Sequence, residues 1–134
     1  MAKKESLKIC IVDDESLIID MYRIKFEANG FKVVSAVDGA EGFKIIERER
    51  PDLALIDIIM PHNDGFQLIE KLKNNKVLRK ISIIVLTNLD GQEIREKASR
   101  LGVLFFLVKP HFLPSQVVKI VKEALAAKKG DYTA

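Results

Sequence analysis

Five side chains that could take part in chemistry stand at the ends of apolar runs in this sequence. Two carboxylates follow "ICIV", one closes "LALID", a hydroxyl closes "ISIIVLT" and an ammonium follows "VLFFLV"; the residues are Asp13, Asp14, Asp57, Thr87 and Lys109. Burying like charges without a positive partner is costly, so the acidic residues require a cation beside them. Mg²⁺ prefers such oxygen ligands and keeps positions open for phosphate oxygens. These residue types predict a magnesium site, of which the acidic run is one half, provided that the fold brings them together.

The apolar runs that precede these residues are predicted to be buried strands. They are rich in β-branched residues, and the second of them alternates more than the others, which suits an edge strand. The runs cover residues 7–12, 31–37, 53–57, 81–87 and 103–108. Four of the intervening segments have helical spacing: Leu17, Ile18, Met21 and Ile24; Phe66, Ile69 and Leu72; Ile94, Ala98 and Leu101; and Val117, Val118, Val121 and Leu125.

This alternation predicts an α/β fold of five βα units, with a parallel sheet covered on both faces and right-handed crossovers. Ligands bind beyond the carboxyl ends of the strands in such sheets. We therefore expect all five side chains on one rim of the sheet.

Polar pairs and glycines mark several helix boundaries. A side-chain oxygen that starts a capping box accepts a backbone N–H of the first helical turn, and glycine readily takes the left-handed conformation at a helix end. The predicted capping boxes are Asp38 with Glu41, Asp64 with Gln67 and Asp90 with Glu93, and the predicted helix ends are at Gly30 and Gly102.

Length and composition favour a single domain. The chain has 134 residues, 48% of them hydrophobic, and is too short for two ordinary domains. We expect residues 1–134 to form one domain with a core over about residues 7–127. The net charge of +3 is scattered along the chain, which gives no reason to expect direct binding of nucleic acid.

Nothing in the sequence predicts a membrane segment. No apolar run approaches the roughly 20 residues of a membrane span. The first residues, "MAKKESLK", lack the apolar segment of a signal peptide, so we expect a cytoplasmic location. Cys10, the single cysteine, lies inside the first apolar run and is expected to be a buried, reduced and inert thiol.

Four motifs together resemble the receiver domain of two-component response regulators. They are "IVDDES", "LIDIIMPHNDG", "VLTN" and "FLVKP", in this order, and the resemblance extends from about Leu7 to about Ala127. It implies a doubly wound, flavodoxin-like (βα)5 sheet of five parallel strands in the order 2-1-3-4-5. It also implies that Asp57 accepts a phosphoryl group from a sensor histidine kinase.

The resemblance also implies a metal site for Mg²⁺. In this sequence the direct ligands would be Asp14, Asp57 and the backbone carbonyl of Ile59, while Asp13 would hold the metal through a water molecule. The remaining phosphoryl oxygens would be contacted by Lys109 and Thr87.

A switch is implied as well. Thr87 would move toward the phosphoryl group, and Phe106 would turn into the space that it leaves. A cis peptide bond between Lys109 and Pro110 would aim the ammonium into the site. The rearranged face would lie on the fourth helix, fifth strand and fifth helix, where a downstream protein target would bind. The residues expected to border that face are Arg95, Ser99, Phe106, Lys119 and Lys122.

Each of these residues also has a simpler interpretation. Asp57 could be a turn residue or a helix cap, Thr87 a β-branched strand end, and Lys109 a surface lysine. Asp13 and Asp14 could cap a helix that begins at Ser16, and Phe106 could be a core aromatic. His62 and His111 are expected to be solvated loop residues.

The predicted function is a phosphorylation-switched signalling domain, acting as a monomer or as a phosphorylation-dependent dimer. It is not expected to be an enzyme beyond slow self-catalysed phosphorylation and dephosphorylation. The alternatives are the receiver half of a longer regulator and a relay domain that passes phosphate to a histidine phosphotransfer protein. An aspartate-nucleophile phosphatase would have a second acidic residue two positions after its nucleophile, where this sequence has Ile59. A flavin-binding flavodoxin-like protein would have a loop rich in Ser, Thr and Gly after the first strand, where this sequence has acidic residues.

Three residues depart from the common receiver pattern or flank its chemistry. Asn88 stands where a very small residue is usual, which predicts slower transfer or a restricted set of donors. Ile59 and Leu89 are apolar and flank the approach of a hydrolytic water, which predicts a long-lived phosphoaspartate.

Overall fold

Five strands alternate with five helices in a computed structural model that describes residues 6–61 and 65–128. The strands are β1 (Lys8–Val12), β2 (Lys32–Ala36), β3 (Leu53–Ile56), β4 (Ser82–Thr87) and β5 (Phe105–Val108). The helices are α1 (Ser16–Ala28), α2 (Gly39–Glu49), α3 (Gly65–Lys73), α4 (Gln92–Arg100) and α5 (Pro114–Lys128). The predicted (βα)5 alternation is therefore confirmed.

All neighbouring strands are parallel, and their order is β2-β1-β3-β4-β5. This is the flavodoxin-like order, and it places β2 at an edge as its alternating pattern predicted. The last paired residues are Val12 with Ile56, Ile56 with Val85, and Thr87 with Val108, so β4 and β5 end two residues beyond the register of β1 and β3. The residues that follow the strands therefore emerge at one rim.

Helices cover both faces of the sheet, and each face has its own apolar core. One core joins the sheet to α2, α3 and α4, and the other joins it to α1 and α5. Cys10 lies fully inside the first core, where burial raises the pKa of its thiol to about 12. The thiol is therefore protonated and unreactive at neutral pH, as expected.

The buried face of α1 differs from the predicted one. Leu17 and Ile24 are 81% and 67% exposed, whereas Ile19, Tyr22 and Phe26 pack against the sheet. Helix α1 carries apolar residues on two faces, so the spacing identified the helix but not the side that packs. The buried faces predicted for α3, α4 and α5 are confirmed.

One predicted capping box holds and one does not. Asp38 accepts the backbone N–H of Glu41 at 2.8 Å and caps α2, while Glu41 reaches back to the N–H of Val37 at 3.2 Å. At α4 the capping residue is Gly91, which makes no side-chain cap, because Asp90 instead forms an ion pair with Arg95. The capping box predicted at Asp90 is therefore wrong.

The glycines predicted at helix ends are confirmed. Gly30 and Gly102 follow α1 and α4 and have positive φ angles of 87° and 82°. The capping box predicted at Asp64 lies outside the described residues. Within the described ranges, no helix is long and apolar enough to cross a bilayer.

Candidate functional site

Four of the predicted side chains meet at the carboxyl rim because each directly follows or ends a strand of the sheet. The backbone N–H of Asp13 donates to Ala36 and that of Asp57 to Val12, at 3.1 and 2.9 Å, so strand pairing extends one residue into the site. Asp13, Asp57 and Thr87 are buried, with at most 5% of their surface exposed. These backbone bonds fix the position of the carboxylates before any ligand binds.

Lys109 is the cation that the buried carboxylates require. Its ammonium donates to Asp13 at 2.7 Å and to Asp57 at 3.2 Å. Burial alone would lower the pKa of Lys109, but its hydrogen bonds and charge contacts with the two carboxylates outweigh burial and raise it. Lys109 is therefore charged throughout the neutral range.

Asp13 has a raised pKa, because its burial outweighs the hydrogen bond from Lys109 and the charge of Asp57 adds to the effect. Two carboxylates share one ammonium, so one negative charge remains without compensation. Extra positive charge is therefore favoured at this place.

The bond between Lys109 and Pro110 is not cis as predicted, since the described residues contain no cis peptide bond. A trans bond is the more stable form even before proline. Lys109 begins a 3₁₀ turn, Lys109–His111, directly after β5, and its ammonium reaches both carboxylates from there.

Three carboxylates could hold a metal ion together. One oxygen from each of Asp13, Asp14 and Asp57 lies within 4.8 Å of the others. Oδ1 of Asp13 accepts the N–H of Glu15 at 2.9 Å, and Oδ1 of Asp57 accepts the N–H of Ile59 at 3.0 Å. These hydrogen bonds orient both carboxylates. Asp14 is exposed, and no described residue hydrogen-bonds its side chain.

The capping alternative for Asp13 and Asp14 is not observed. The residue at the capping position of α1 is Glu15, and its side chain caps nothing. The carboxylate of Asp13 instead bonds the N–H of Glu15, before the helix begins.

A pocket of about 300 Å³ opens beside the carboxylates. Its lining combines acids, a hydroxyl, an amide and two apolar side chains: Asp14, Glu15, Asp57, Ile59, Thr87, Asn88 and Leu89. The hydroxyl oxygen of Thr87 accepts the N–H of Leu89 at 3.3 Å, so its proton is free to donate elsewhere. Ile59 and Leu89 both border the space from which a ligand or water would reach Asp57.

Phe106 is half-buried on β5 and packs against the core under α4. The guanidinium of Arg95 lies over its ring, 4.9 Å from the centroid. Arg95 and Ser99 are exposed on α4, as expected for residues at a partner surface.

The two lysines predicted at that surface lie elsewhere. Lys119 and Lys122 line a groove between α1 and α5, and the ammonium of Lys122 donates to Asn29 at 2.8 Å. Helical spacing located α5, but it did not show which side faces α1.

An apolar groove of about 820 Å³ lies between β5 and α5. Leu104 and Phe105 are each more than 40% exposed along it. Its other wall belongs to α5, with Ile120, Glu123, Ala124, Ala127 and Lys128.

One residue that positions the site escaped the sequence analysis. Gly65 begins α3, and its N–H donates to the carbonyl of Ile58 at 3.0 Å. A Cβ at Gly65 would lie 2.7 Å from the Cα of Ile58 and would overlap the carbonyl oxygen of Asp57. A glycine eight residues after a strand-end aspartate was the available signal. Of the two histidines, His111 is exposed as expected and His62 lies outside the described residues.

Comparison with known proteins agrees with this arrangement. The family model for the response regulator receiver domain matches residues 9–122. The chain belongs to this family. The receiver domain is 34% identical over 118 residues to the alkaline phosphatase synthesis transcriptional regulatory protein PhoP of Bacillus subtilis, covering 88% of this chain and 48% of that protein.

A second relative of the receiver domain is the response regulator PleD of Caulobacter vibrioides, with 34% identity over 105 residues, 78% of this chain and 23% of that protein. The chain thus spans about half or less of these relatives. Among solved structures, a CheY-like response regulator receiver domain protein from Methanospirillum hungatei superposes with a TM-score of 0.88. It is 28% identical, and the match covers 96% of this chain and 100% of that one.

Proposed function

We propose that this receiver domain accepts a phosphoryl group on Asp57 from a sensor histidine kinase, with Mg²⁺, and alters a partner-binding face in response. The observation that carries the proposal is the pair of contacts from Lys109 to Asp13 and Asp57. Here a part-buried ammonium lies between two carboxylates, beside an exposed acid and a hydroxyl. The carboxylates can hold a metal, while the ammonium and the hydroxyl can contact a phosphoryl group.

The residues at the rim fit Mg²⁺. Carboxylate oxygens are hard ligands, and the acidic trio leaves a negative charge that Lys109 does not compensate. We assign Asp14, Asp57 and the carbonyl of Ile59 as direct ligands and Asp13 as a ligand through water. Bound Mg²⁺ would supply the positive charge that offsets repulsion between a phosphoryl group and these carboxylates.

Asp57 is the nucleophile in this proposal. One of its carboxylate oxygens attacks phosphorus, the bond between phosphorus and the donor's leaving atom breaks, and the leaving group takes the electron pair. Lys109 exchanges a carboxylate contact for a phosphoryl oxygen, and the hydroxyl of Thr87 donates to another. Asn88 borders the same pocket and would narrow the path of the donor.

The output follows from a shift between two packings. Thr87 moving toward the phosphoryl group leaves space beside β5, into which Phe106 turns. The apolar groove between β5 and α5 adjoins that strand, and its exposed Leu104 and Phe105 favour a protein partner there. Arg95 and Ser99 border the same face, whereas Lys119 and Lys122 line the groove between α1 and α5. We propose a monomer or a phosphorylation-dependent dimer, located in the cytoplasm.

A receiver half of a longer regulator remains the main alternative. It is favoured by the relatives, because the chain matches 48% of a protein described as a transcriptional regulatory protein. A relay to a histidine phosphotransfer protein would use the same Asp57 chemistry. The receiver half and the relay domain would differ in the protein or domain that receives the signal, but both would use the same phosphorylation site.

Binding of a phosphoryl analogue tests the site. Mg²⁺ with beryllofluoride should shift the amide resonances of Asp57, Thr87 and Lys109 in a saturable way, and either component alone should not reproduce the change. Asp57→Asn should abolish it. A response in that variant equal to the parent's would refute Asp57 as the acceptor.

A further inference from the structure

Arg95 joins two parts of the proposed switch through one side chain. It lies in the first turn of α4, and its Nε donates to the carboxylate of Asp90 at 2.7 Å. Its guanidinium also covers the ring of Phe106, 4.9 Å from the centroid. The loop between β4 and α4 and the aromatic side chain of β5 are therefore connected by this arginine.

The Asp90 end of this connection is well defined. The same carboxylate oxygen accepts the N–H of Gly91 at 2.8 Å, and the hydrogen bond from Arg95, followed by that from Gly91, lowers the pKa of Asp90. Asp90 stands three residues after Thr87, in the loop that would move with it. Gly91 caps α4 without a side chain, and the ion pair of Asp90 with Arg95 connects the loop to the helix by a side-chain hydrogen bond.

We propose that Arg95 is a positioning residue that, through these two contacts, holds Phe106 and the β4–α4 loop in place and so opposes the switch. This inference rests on the proposed function. When the Phe106 ring turns, it loses its contact with the guanidinium of Arg95. When Thr87 moves toward a phosphoryl group, the loop moves with it and Asp90 is pulled away from Arg95. Both steps of the switch must break contacts of one side chain, which couples them.

The expected size of the effect follows from these contacts. A contact that exists only before the switch stabilises that packing. It therefore reduces the apparent affinity of a ligand that binds the switched packing. A cation–π contact and an exposed ion pair together correspond to about three- to tenfold in an equilibrium constant. Removing the connection should therefore tighten binding of Mg²⁺ with beryllofluoride by about three- to tenfold.

The test measures the affinity for beryllofluoride in the presence of Mg²⁺. It compares the parent with Arg95→Met, Asp90→Asn and the double variant. Met keeps the apolar stem of Arg95 without its charge, and Asn keeps the oxygen that accepts the N–H of Gly91. Arg100→Met is the matched control, because Arg100 is an exposed arginine of the same helix without a hydrogen bond or ion pair among the described residues.

Both single variants should bind the analogue more tightly than the parent, the double variant no more tightly than Arg95→Met, and the control like the parent. A purely structural role would weaken binding, so it predicts the opposite sign. Unchanged or weaker binding in Arg95→Met, or additive gains in the double variant, would overturn the proposal.

A second measurement does not depend on the phosphoryl site. In the parent without ligand, the amide of Gly91 should exchange with solvent about three- to tenfold more slowly than in Arg95→Met, because the ion pair holds its acceptor. Equal exchange rates would overturn the positioning role of Arg95, even if the parent failed to bind the analogue and the proposed function fell separately.

Discussion

Gly65 lies against the backbone of Asp57 so closely that no side chain fits between them. A Cβ at Gly65 would overlap the carbonyl oxygen of Asp57. The hydrogen bond from Gly65 to Ile58 holds the start of α3 at this distance. The proposed acceptor is therefore positioned by a glycine of another element as well as by its own strand.

We predict that Gly65→Ala lowers both stability and phosphorylation. The added methyl group must push α3 or the Asp57 loop aside, which costs about 1–3 kcal/mol in the free energy of unfolding. The rate of phosphorylation by acetyl phosphate should fall at least tenfold, because displaced reacting groups lose their alignment. Urea unfolding and intact-mass kinetics measure the two effects.

Gly30→Ala is the matched control for this variant. Its positive φ strains any L side chain, at a cost of about 1–2 kcal/mol, but no atom lies within 4 Å of the added carbon. This control should lose comparable stability and keep its phosphorylation rate. Equal rates for Gly65→Ala and Gly30→Ala would show that Gly65 does not position Asp57.

The sequence located the site well because strand ends are a strong signal. Asp13, Asp57, Thr87 and Lys109 each follow or close an apolar run, and parallel strands bring such ends to one rim. Gly65 was not found in this way, because its role depends on how closely α3 approaches β3. That distance is a property of packing and leaves no periodic pattern.

The side of α1 that packs against the sheet was not predictable from spacing. Helix α1 has apolar residues on two sides, and the ones chosen from spacing, Leu17 and Ile24, face solvent. The same uncertainty placed Lys119 and Lys122 on the wrong side of α5. At α4, the capping box was predicted from the spacing of Asp90 and Glu93, and the ion pair of Asp90 with Arg95 was not anticipated.

We predict that Asp13→Asn stabilises the metal-free protein. The raised pKa of Asp13, caused mainly by burial, means that the folded state disfavours its charged form. Stability of the parent should therefore fall as the pH rises from the ordinary carboxyl pKa of about 3.9 through the raised value, and it stays lower above it. Asn removes this loss and leaves Lys109 paired with Asp57. Urea midpoints between pH 4 and 8, measured with a chelator, test the sign; a lower midpoint for the variant at neutral pH would contradict it.

Mg²⁺ should stabilise the parent but not a variant that lacks Asp14, the exposed ligand of the proposed metal site. A ligand that binds only the folded state stabilises it in proportion to the logarithm of its concentration, by about 2.7 kcal/mol at one hundred times its dissociation constant. The parent should gain stability with Mg²⁺, and Asp14→Ala should gain almost none while remaining folded. An equal gain in Asp14→Ala would remove Asp14 from the metal site.

We predict a long-lived phosphoaspartate. Ile59 and Leu89 border the pocket next to Asp57, and neither can accept a hydrogen bond from an attacking water. The double variant Ile59→Asn with Leu89→Glu should lose its phosphoryl group about tenfold faster or more at the same Mg²⁺ concentration. Loss of the group is followed by intact mass after removal of the donor. An unchanged or slower rate would show that these side chains do not control access of water.

Covalent phosphorylation of Asp57 is the central claim, and intact-mass spectrometry after incubation with acetyl phosphate tests it most directly. We predict that the parent gains one phosphoryl group with Mg²⁺ and none with a chelator, and that peptide mapping places the group on Asp57. Asp57→Asn should stay unmodified under the same conditions. A parent that remains unmodified with Mg²⁺, or an Asp57→Asn variant modified to the same extent, would contradict the account.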